Sequence, residues 1–356
     1  MEGVIRMPEQ QTYNVAIVGA TGAVGQKIKK ILEDKEFPIN ELKLLSSARS
    51  AGKEETFRGE TIIVEEAAAE SFDGVDIALF SAGGSISKKL APEAVKRGAV
   101  VVDNTSAFRM DKDVPLVVPE VNPEDIAEHQ GIIANPNCST IQMVAALKPI
   151  KDAYGINKII VSTYQAVSGA GNAAVEELYE QSRDYLEGKE INAEILPVKG
   201  DKKHFPIAFN ALPQIDVFED NGFTFEEMKM INETKKIMHD EALNVAATCV
   251  RLPFATSHAE SVYIELDREG LAVKDIWKTL EAADGVILQD NPQAQEYPTP
   301  QSAQDKEEVF VGRVRKDLDN PKGFHLWVVS DNLLKGAAWN TVQIAQVLTE
   351  RGWLKK

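Results

Sequence analysis

A glycine loop caught between a strand and a helix constrains this chain more than any other feature. Residues 13–19, YNVAIVG, form a short apolar run that reads as a strand buried on both faces. Gly19-Ala20-Thr21-Gly22-Ala23-Val24-Gly25 follows at once. Val24, Ile28, Ile31 and Leu32 then recur at helical spacing. In such a turn the first glycine permits the tight bend. The second lets the backbone approach a pyrophosphate, and the third lets helix and strand pack closely. The helix N-terminus adds N–H groups and the positive end of a dipole. A glycine-rich turn that binds nothing is the bland alternative, and the strand–turn–helix context weighs against it.

The rest of the chain extends this pattern and then breaks it. LKLLSS (42–47), VDIALFS (75–81), AVVVDN (99–104) and GIIAN (131–135) are further apolar runs, with turn signals and helical stretches between them. That alternation implies parallel βαβ units and a Rossmann-like nucleotide-binding domain. After about residue 155 the strands lengthen and partly alternate, at 156–167, 244–254, 259–267, 309–317 and 323–331. Helical stretches at 172–187, 224–240 and 273–283 separate them. This predicts an α+β catalytic and dimerisation domain with a large mixed sheet. The expected division is a polar tail over 1–12, a dinucleotide-binding domain over 13–137 plus 332–356, and a second domain over 138–331. The last helix, roughly 332–351, should pack back on the first domain. Residues 290–308, rich in Pro, Gln and acid, read as a surface loop.

The second strand points to the cofactor. A site for NAD places an acid about 20 residues beyond the glycines, to bond a ribose 2′-hydroxyl. Here the region reads Ser46-Ser47-Ala48-Arg49-Ser50. A guanidinium and a serine hydroxyl suit a 2′-phosphate, so NADP is expected over NAD. A solvated Arg49 is the competing reading.

Two cysteines exclude a disulfide framework and make a reducing, cytoplasmic setting the default. They differ in context. Cys138, in Asn135-Pro136-Asn137-Cys138-Ser139-Thr140, sits between a strand and the helix STIQMVAALKPI. A helix N-terminus there favours the thiolate and should lower the thiol pKa, which marks Cys138 as the nucleophile. Cys249, in VAATCVRL, reads as a buried structural thiol. Among five histidines, His129 and His239 read as solvated and His204 as a loop residue. His258 lies in Arg251-Leu-Pro-Phe-Ala-Thr-Ser-His258, a turn between two long strands. Arg251 and His258 can therefore converge on one pocket. No His/Cys pair has zinc-type spacing, so no metal is expected.

Lys and Arg total 39 against 55 Asp and Glu, a formal charge of −16. That opposes non-specific nucleic-acid binding, which needs basic residues to neutralise phosphates. A small anionic ligand would need a local cationic cluster. No apolar run reaches the ~18–20 residues that span a bilayer, and the N-terminal stretch lacks the apolar core of a secretory signal.

GATGAVG, SSARSAG, DNTSAFR, NPNCST, STYQAVSGAG, EEMK, RLPFATSHAE and DNLLKGAAWN, in this order over residues 13–352, together resemble the aspartate-β-semialdehyde dehydrogenases. The resemblance implies reversible NADPH-dependent reduction of L-4-aspartyl phosphate to L-aspartate 4-semialdehyde, on the route to lysine, methionine and threonine. It implies that Cys138 forms an acyl thioester, that His258 is the general acid–base and that Gln165 positions substrate. It places Arg251 on the substrate carboxylate, and Arg109 and Lys229 on phosphate. Glu226 would meet the substrate ammonium, with Glu227 as the alternative. Gly19, Thr21, Gly22, Ala23, Val24, Arg49, Ser50, Ser168, Gly169 and Asn332 would line the cofactor. Backbone N–H groups at the start of the Cys138 helix would hold an oxyanion, at ~3–4 kcal/mol per good donor. The family implies a homodimer or a dimer of dimers.

Three rivals remain at this stage. N-acetyl-γ-glutamyl-phosphate reductase shares the thioester logic. An NADP-binding sensor would need neither Cys138 nor His258. A short-chain reductase needs Tyr-x-x-x-Lys on one helix face, and Tyr154-Gly155-Ile156-Asn157-Lys158 matches the string. Gly155 should end that helix, which would keep the two side chains from stacking.

Overall fold

The computed structural model describes residues 11–354. The expected N-terminal tail, residues 1–12, lies outside the described residues except for its last two. The elements run β1 (Tyr13–Val18), α1 (Ala23–Asp34), β2 (Ile39–Ser46), β3 (Glu54–Phe57), β4 (Glu60–Ile63), β5 (Glu65–Glu66), β6 (Ile77–Phe80), α2 (Gly84–Lys96), β7 (Val100–Asp103) and β8 (Ile132–Ala134). Then follow α3 (Cys138–Tyr154), β9 (Ile156–Gln165), α4 (Asn172–Leu186), α5 (Phe225–Ile237), β10 (Asn244–Arg251), β11 (His258–Leu266), α6 (Val273–Glu281), β12 (Val286–Leu288), α7 (Pro300–Ala303), β13 (Val309–Lys316), β14 (Gly323–Ser330) and α8 (Trp339–Glu350).

The first sheet has the order β5-β2-β1-β6-β7-β8 and is parallel throughout. With the β3–β4 hairpin set aside, this is the doubly wound Rossmann order. Its central strands are apolar because helices cover both faces: every residue of β6 and β7 is buried. The order reverses between β1 and β6, so a crevice opens at their C-terminal ends. Gly19 sits there with φ +87°, and a Cβ on it would lie 2.5 Å from the Ser81 carbonyl oxygen. A Cβ on Gly25 would lie 2.2 Å from the Gly19 carbonyl oxygen. Any side chain at either position would keep the turn from closing.

The second sheet has the order β10-β9-β11-β14-β13-β12 and is mixed. Burial alternates along β9 and β10, as expected for a sheet with one packed face. That face meets α3, α5 and α6 in one apolar core that includes Ile141, Val144, Met230, Val262, Ile276 and Leu326. α3 is buried nearly all round from Ser139 to Leu147, which explains its weak amphipathic pattern. Gly155 caps it with φ +73° and β9 starts at Ile156, so Tyr154 and Lys158 share no helix face. The short-chain-reductase string is therefore structurally inert.

The C-terminal stretch returns to the first sheet. It is not one continuous helix: a π-helical turn, Leu334–Ala338, precedes α8. Val342, Ile344, Ala345 and Leu348 pack in the core that holds β1 and α1. The 290–308 segment is more structured than a plain loop. It contains α7, accepts the Trp327 Nε1–H at the Pro298 carbonyl (3.0 Å) and ties to α1 through Lys27–Asp305 and Lys35–Glu307. Among the described residues no helix is long and apolar enough to cross a membrane.

Candidate active site

Strand register builds one wall of the site. β9 lies between β10, which is parallel to it, and β11, which is antiparallel. Gln165 ends β9 and pairs with Arg251 on one side and His258 on the other. The turn between Arg251 and His258 crosses the end of β9, and its carbonyls at Phe254 and Ala255 accept from Val167 and Ser168. Ala166 is the hub. Its carbonyl accepts Arg251 Nη1 (2.7 Å), and its N–H donates to His258 Nδ1 (3.1 Å). His258 Nε2 therefore faces Gln165 Nε2, 3.4 Å away. Gly169 closes this corner without a side chain: a Cβ there would lie 2.8 Å from Arg251 Nη1 and 3.5 Å from His258 Nε2.

The opposite wall is the start of α3. Asn137 is its N-cap, and the Asn137 side chain accepts from the N–H groups of Ser139 and Thr140. Cys138 is the first helical residue, backed by Gly336, where a Cβ would lie 2.7 Å from Cys138 Cβ. The π-helical turn brings Gly336 to that position, a frequent use of such turns at functional sites. Buried Lys335 anchors the turn through Glu120, Asn340 and Gln343.

This geometry corrects two expectations. The N–H groups at 139 and 140 already donate to Asn137 Oδ1, so an oxyanion would have to share them. The Cys138 thiol is not acidified. Burial, then the nearby Glu226 carboxylate, push it up to about 12, against weaker help from Arg109, Arg251 and the Ser139 N–H. Part of the side chain still opens to the cleft, so water there moderates the desolvation. Burial, then Arg251, push His258 down to about 3, so its imidazole is neutral at pH 7. The pair rests as thiol and neutral base, not as a thiolate–imidazolium pair.

The third wall is α5. Thr224 and Glu227 form a reciprocal capping box, and Glu227 Oε1 also accepts the Cys249 N–H. That leaves Glu226, and not Glu227, to line the cleft together with Asp216. Glu226 Oε1 accepts from Asn137 Nδ2 (2.9 Å) and Gln165 Nε2 (3.1 Å), and Oε2 meets Lys229 Nζ (3.1 Å). Burial opposes its charge, but Lys229 and the two amides outweigh burial and hold the carboxyl at about 2. Lys229 also meets Asp216 (2.9 Å). A solvated ion pair on a surface helix does not describe Glu226 and Lys229, since Glu226 is only 4% exposed.

A cleft of about 470 Å³ joins these walls to the glycine crevice. Arg109, Lys229 and Arg251 all line it, supplying the local positive charge that an acidic chain needs for an anion. Arg251 is buried, yet its Nε has no partner and no carboxylate lies within salt-bridge distance among the described residues. An orphaned guanidinium N–H in a cleft fits an incoming carboxylate. Val24, Ser168, Gly169 and Asn332 line the side nearest the glycine loop. Asn332 Oδ1 accepts the Ser257 N–H, and its amide bonds Ser168 Oγ. Gly22 precedes Ala23, the first residue of α1, without any capping side chain, which suits a phosphate there. Thr21 Oγ1 bonds Ser46 (2.8 Å) and Ser50 (3.4 Å). Arg49 lies exposed in the turn after β2 and does not line the cleft.

Comparisons with known proteins converge on one family. The profile described as semialdehyde dehydrogenase, NAD binding domain, matches residues 14–129. The profile described as semialdehyde dehydrogenase, dimerisation domain, matches 147–335. The chain is 69% identical over 335 residues to the aspartate-semialdehyde dehydrogenase of Bacillus subtilis, covering 94% of this chain and 97% of that one. The chain belongs to the aspartate-semialdehyde dehydrogenase family. A crystal structure of aspartate semialdehyde dehydrogenase II from Vibrio cholerae complexed with ASA superposes with a TM-score of 0.90, at 49% identity, over 96% of this chain and 99% of that one. The enzyme of Candida albicans with NADP has a TM-score of 0.74, at 26% identity, over 96% and 100%.

Within this family frame, several placements differ from the sequence reading. His129 is not solvated. It is 1% exposed, and its ring bonds the Trp353 carbonyl and the Gly131 N–H. His239 is exposed and pairs with Asp125. Cys249 is fully buried against Met230, as expected. Asn137, Asp216 and Glu233 are site residues that sequence reasoning missed. Asn137 had a local signal, an Asx residue just before a helix. Glu233 had one too, since it falls seven positions after Glu226 and so shares its helix face. Among the described residues no group of three or more His, Cys, Asp or Glu is placed to hold a metal ion.

Proposed function

We propose that the chain catalyses reversible, NADPH-dependent reductive dephosphorylation of L-4-aspartyl phosphate to L-aspartate 4-semialdehyde, on the route to lysine, methionine and threonine. One observation carries the reading. A thiol at a helix start and four cations, Arg109, Lys199, Lys229 and Arg251, line a cleft beside the glycine crevice, and the neutral imidazole of His258 sits next to its lining residues Gln165 and Gly169.

In this mechanism the Cys138 thiol gives its proton towards neutral His258 while Sγ attacks the β-carbonyl carbon, and the ring nitrogen that takes it is freed when Nδ1 gives up the Ala166 N–H. The carbon–oxygen bond to phosphate breaks, and phosphate leaves with the electron pair. Arg109 and Lys229 hold that phosphate, and Arg251 holds the α-carboxylate with its unpartnered edge. Glu226 meets the α-ammonium. Gln165 turns its amide towards the acyl oxygen. Bound NADPH supplies the hydride that reduces the Cys138 thioester. The tetrahedral oxyanion that results collapses to the aldehyde by breaking its carbon–sulfur bond, and His258 returns to the sulfur the proton it took from the thiol. Gly19, Thr21, Gly22, Ala23, Val24, Ser168, Gly169 and Asn332 would hold the cofactor. This reading assigns residues 13–137 with 332–356 to the cofactor and 138–331 to chemistry and dimerisation.

NADP rather than NAD is supported by Arg49 and Ser50 beside β2 and by the NADP complex of the Candida relative. The exposed Arg49 is free to swing onto a 2′-phosphate. Arg49→Ala is expected to raise the KM for NADP about tenfold and leave that for NAD unchanged. Steady-state oxidation of aspartate semialdehyde with each cofactor checks this, and an unchanged NADP KM would remove Arg49 from the site. The dimerisation profile over 147–335 supports a homodimer, which could pair further into a dimer of dimers. Sedimentation as a monomer at micromolar concentration would contradict it.

A further inference from the structure

We infer that Glu233 is a positioning residue that sets the phosphate clamp in register with the nucleophile; the inference rests on the reading of Arg109 as that clamp. Glu233 is 1% exposed and lies deep on α5, one face with Glu226 and Lys229. Its two oxygens do different work. Oε1 accepts Arg109 Nη1 (3.0 Å), and Oε2 accepts the Asn137 N–H (2.7 Å), one residue before Cys138. One carboxylate thus ties the guanidinium to the backbone that carries the thiol.

The rest of the Arg109 environment completes the clamp. Nε donates to the Asn135 carbonyl (2.9 Å) and Nη2 to the Asn104 carbonyl (2.8 Å). Each guanidinium nitrogen therefore has an acceptor, and each terminal nitrogen keeps one N–H for an anion. Asn135 belongs to the same stretch that leads into Cys138, so Arg109 is anchored to the nucleophile loop twice. Lys236, on α5 one turn beyond Glu233, holds the other end of the Arg109 segment. Its ammonium donates to the carbonyls of Arg109, Asp111 and Val114, each at 2.8 Å. An ammonium has three N–H groups, and all three are used. A single helix face thus fixes the distance between the leaving group's cation and the attacking sulfur.

Chemistry dictates the outcome of substitution. Two donors converge on Glu233, and glutamine offers one acceptor and one donor. Glu233→Gln keeps the shape and one of the two contacts, but sets N–H against N–H at the other. The test varies phosphate, aspartate semialdehyde and NADP separately in the oxidative direction, with full-length wild type, E233Q, K236M and K236R, each checked for folding by thermal melting. E233Q is expected to raise the phosphate KM by about tenfold or more and to lower kcat, since ~1 Å of misplacement costs up to ~10²-fold. The KM values for semialdehyde and NADP stay within about twofold. K236M does the same more weakly, and K236R restores the wild-type phosphate KM. Equal losses for all three substrates, or an unchanged phosphate KM in the folded variants, overturn the positioning role. If E233Q does not fold, the K236M and K236R pair decides it. Absence of phosphate-dependent turnover in wild type would instead overturn the proposed function.

Discussion

Replacing Cys138 with alanine abolishes phosphate-dependent oxidation of aspartate semialdehyde, by ~10⁴-fold or more, and leaves the fold intact. Alanine keeps the Cβ against which Gly336 packs, so α3 and the π-helical turn stay in place. The loss is chemical: no other thiol lines the cleft. Cys249 points into the core of the second sheet, with its sulfur 3.7 Å from Met230 Sδ. Cys249→Ala is therefore expected to cost stability, about 1–2 kcal/mol for a small cavity, and to keep most of the activity. Its N–H bond to Glu227 is a backbone contact and survives. Assays on both variants beside a thermal melt separate the roles. Full activity in Cys138→Ala refutes the assignment.

His258→Asn is expected to lower kcat by ~10²–10⁴-fold, the usual worth of a positioned general base. Asparagine can still accept the Ala166 N–H, so the β9–β11 corner should hold. The pH behaviour gives the sharper reading. The Cys138 thiol is raised, so at pH 7 the protonated form dominates and the thiolate fraction grows with pH. His258 is lowered, so it is neutral at pH 7 and protonates only as pH falls towards 3. Iodoacetamide inactivation of the ligand-free enzyme should thus climb about tenfold per pH unit between 6 and 9. It should barely change in His258→Asn, because the resting thiol is not ionised by the imidazole. A rate that is flat above pH 5 would reveal a preformed thiolate–imidazolium pair and contradict this resting state.

What could be read from the chain was local. GATGAVG after an apolar run is a strand–turn–helix whose glycines have steric duties within a few residues of each other, and the structure bears out those of Gly19 and Gly25. The choice between Glu226 and Glu227 was also present locally. Thr224-Phe225-Glu226-Glu227 is a capping-box string, so Glu227 belongs to the helix start and Glu226 to the cleft. The sign of the Cys138 shift was not legible. A helix N-terminus is a sequence-local feature, whereas burial and the Glu226 charge come from an element nearly ninety residues away. Glu233 was hidden for the same reason. Its partners lie at 109 and 137, and α5 reads as a charged surface helix until its packing against α3 is known. His129 looked solvated because its polar neighbours are exposed, while its own ring turns inward to the Trp353 carbonyl.

The central claim is a β-aspartyl thioester on Cys138. The direct measurement incubates the enzyme with NADP and aspartate semialdehyde in the absence of phosphate, quenches it in acid and maps adducts by peptide mass spectrometry. The account predicts one β-aspartyl adduct, on Cys138, with a matching burst of NADPH, and its discharge when phosphate is added before the quench. Phosphate-dependent turnover with no adduct on Cys138, or with the adduct on Cys249, would contradict it.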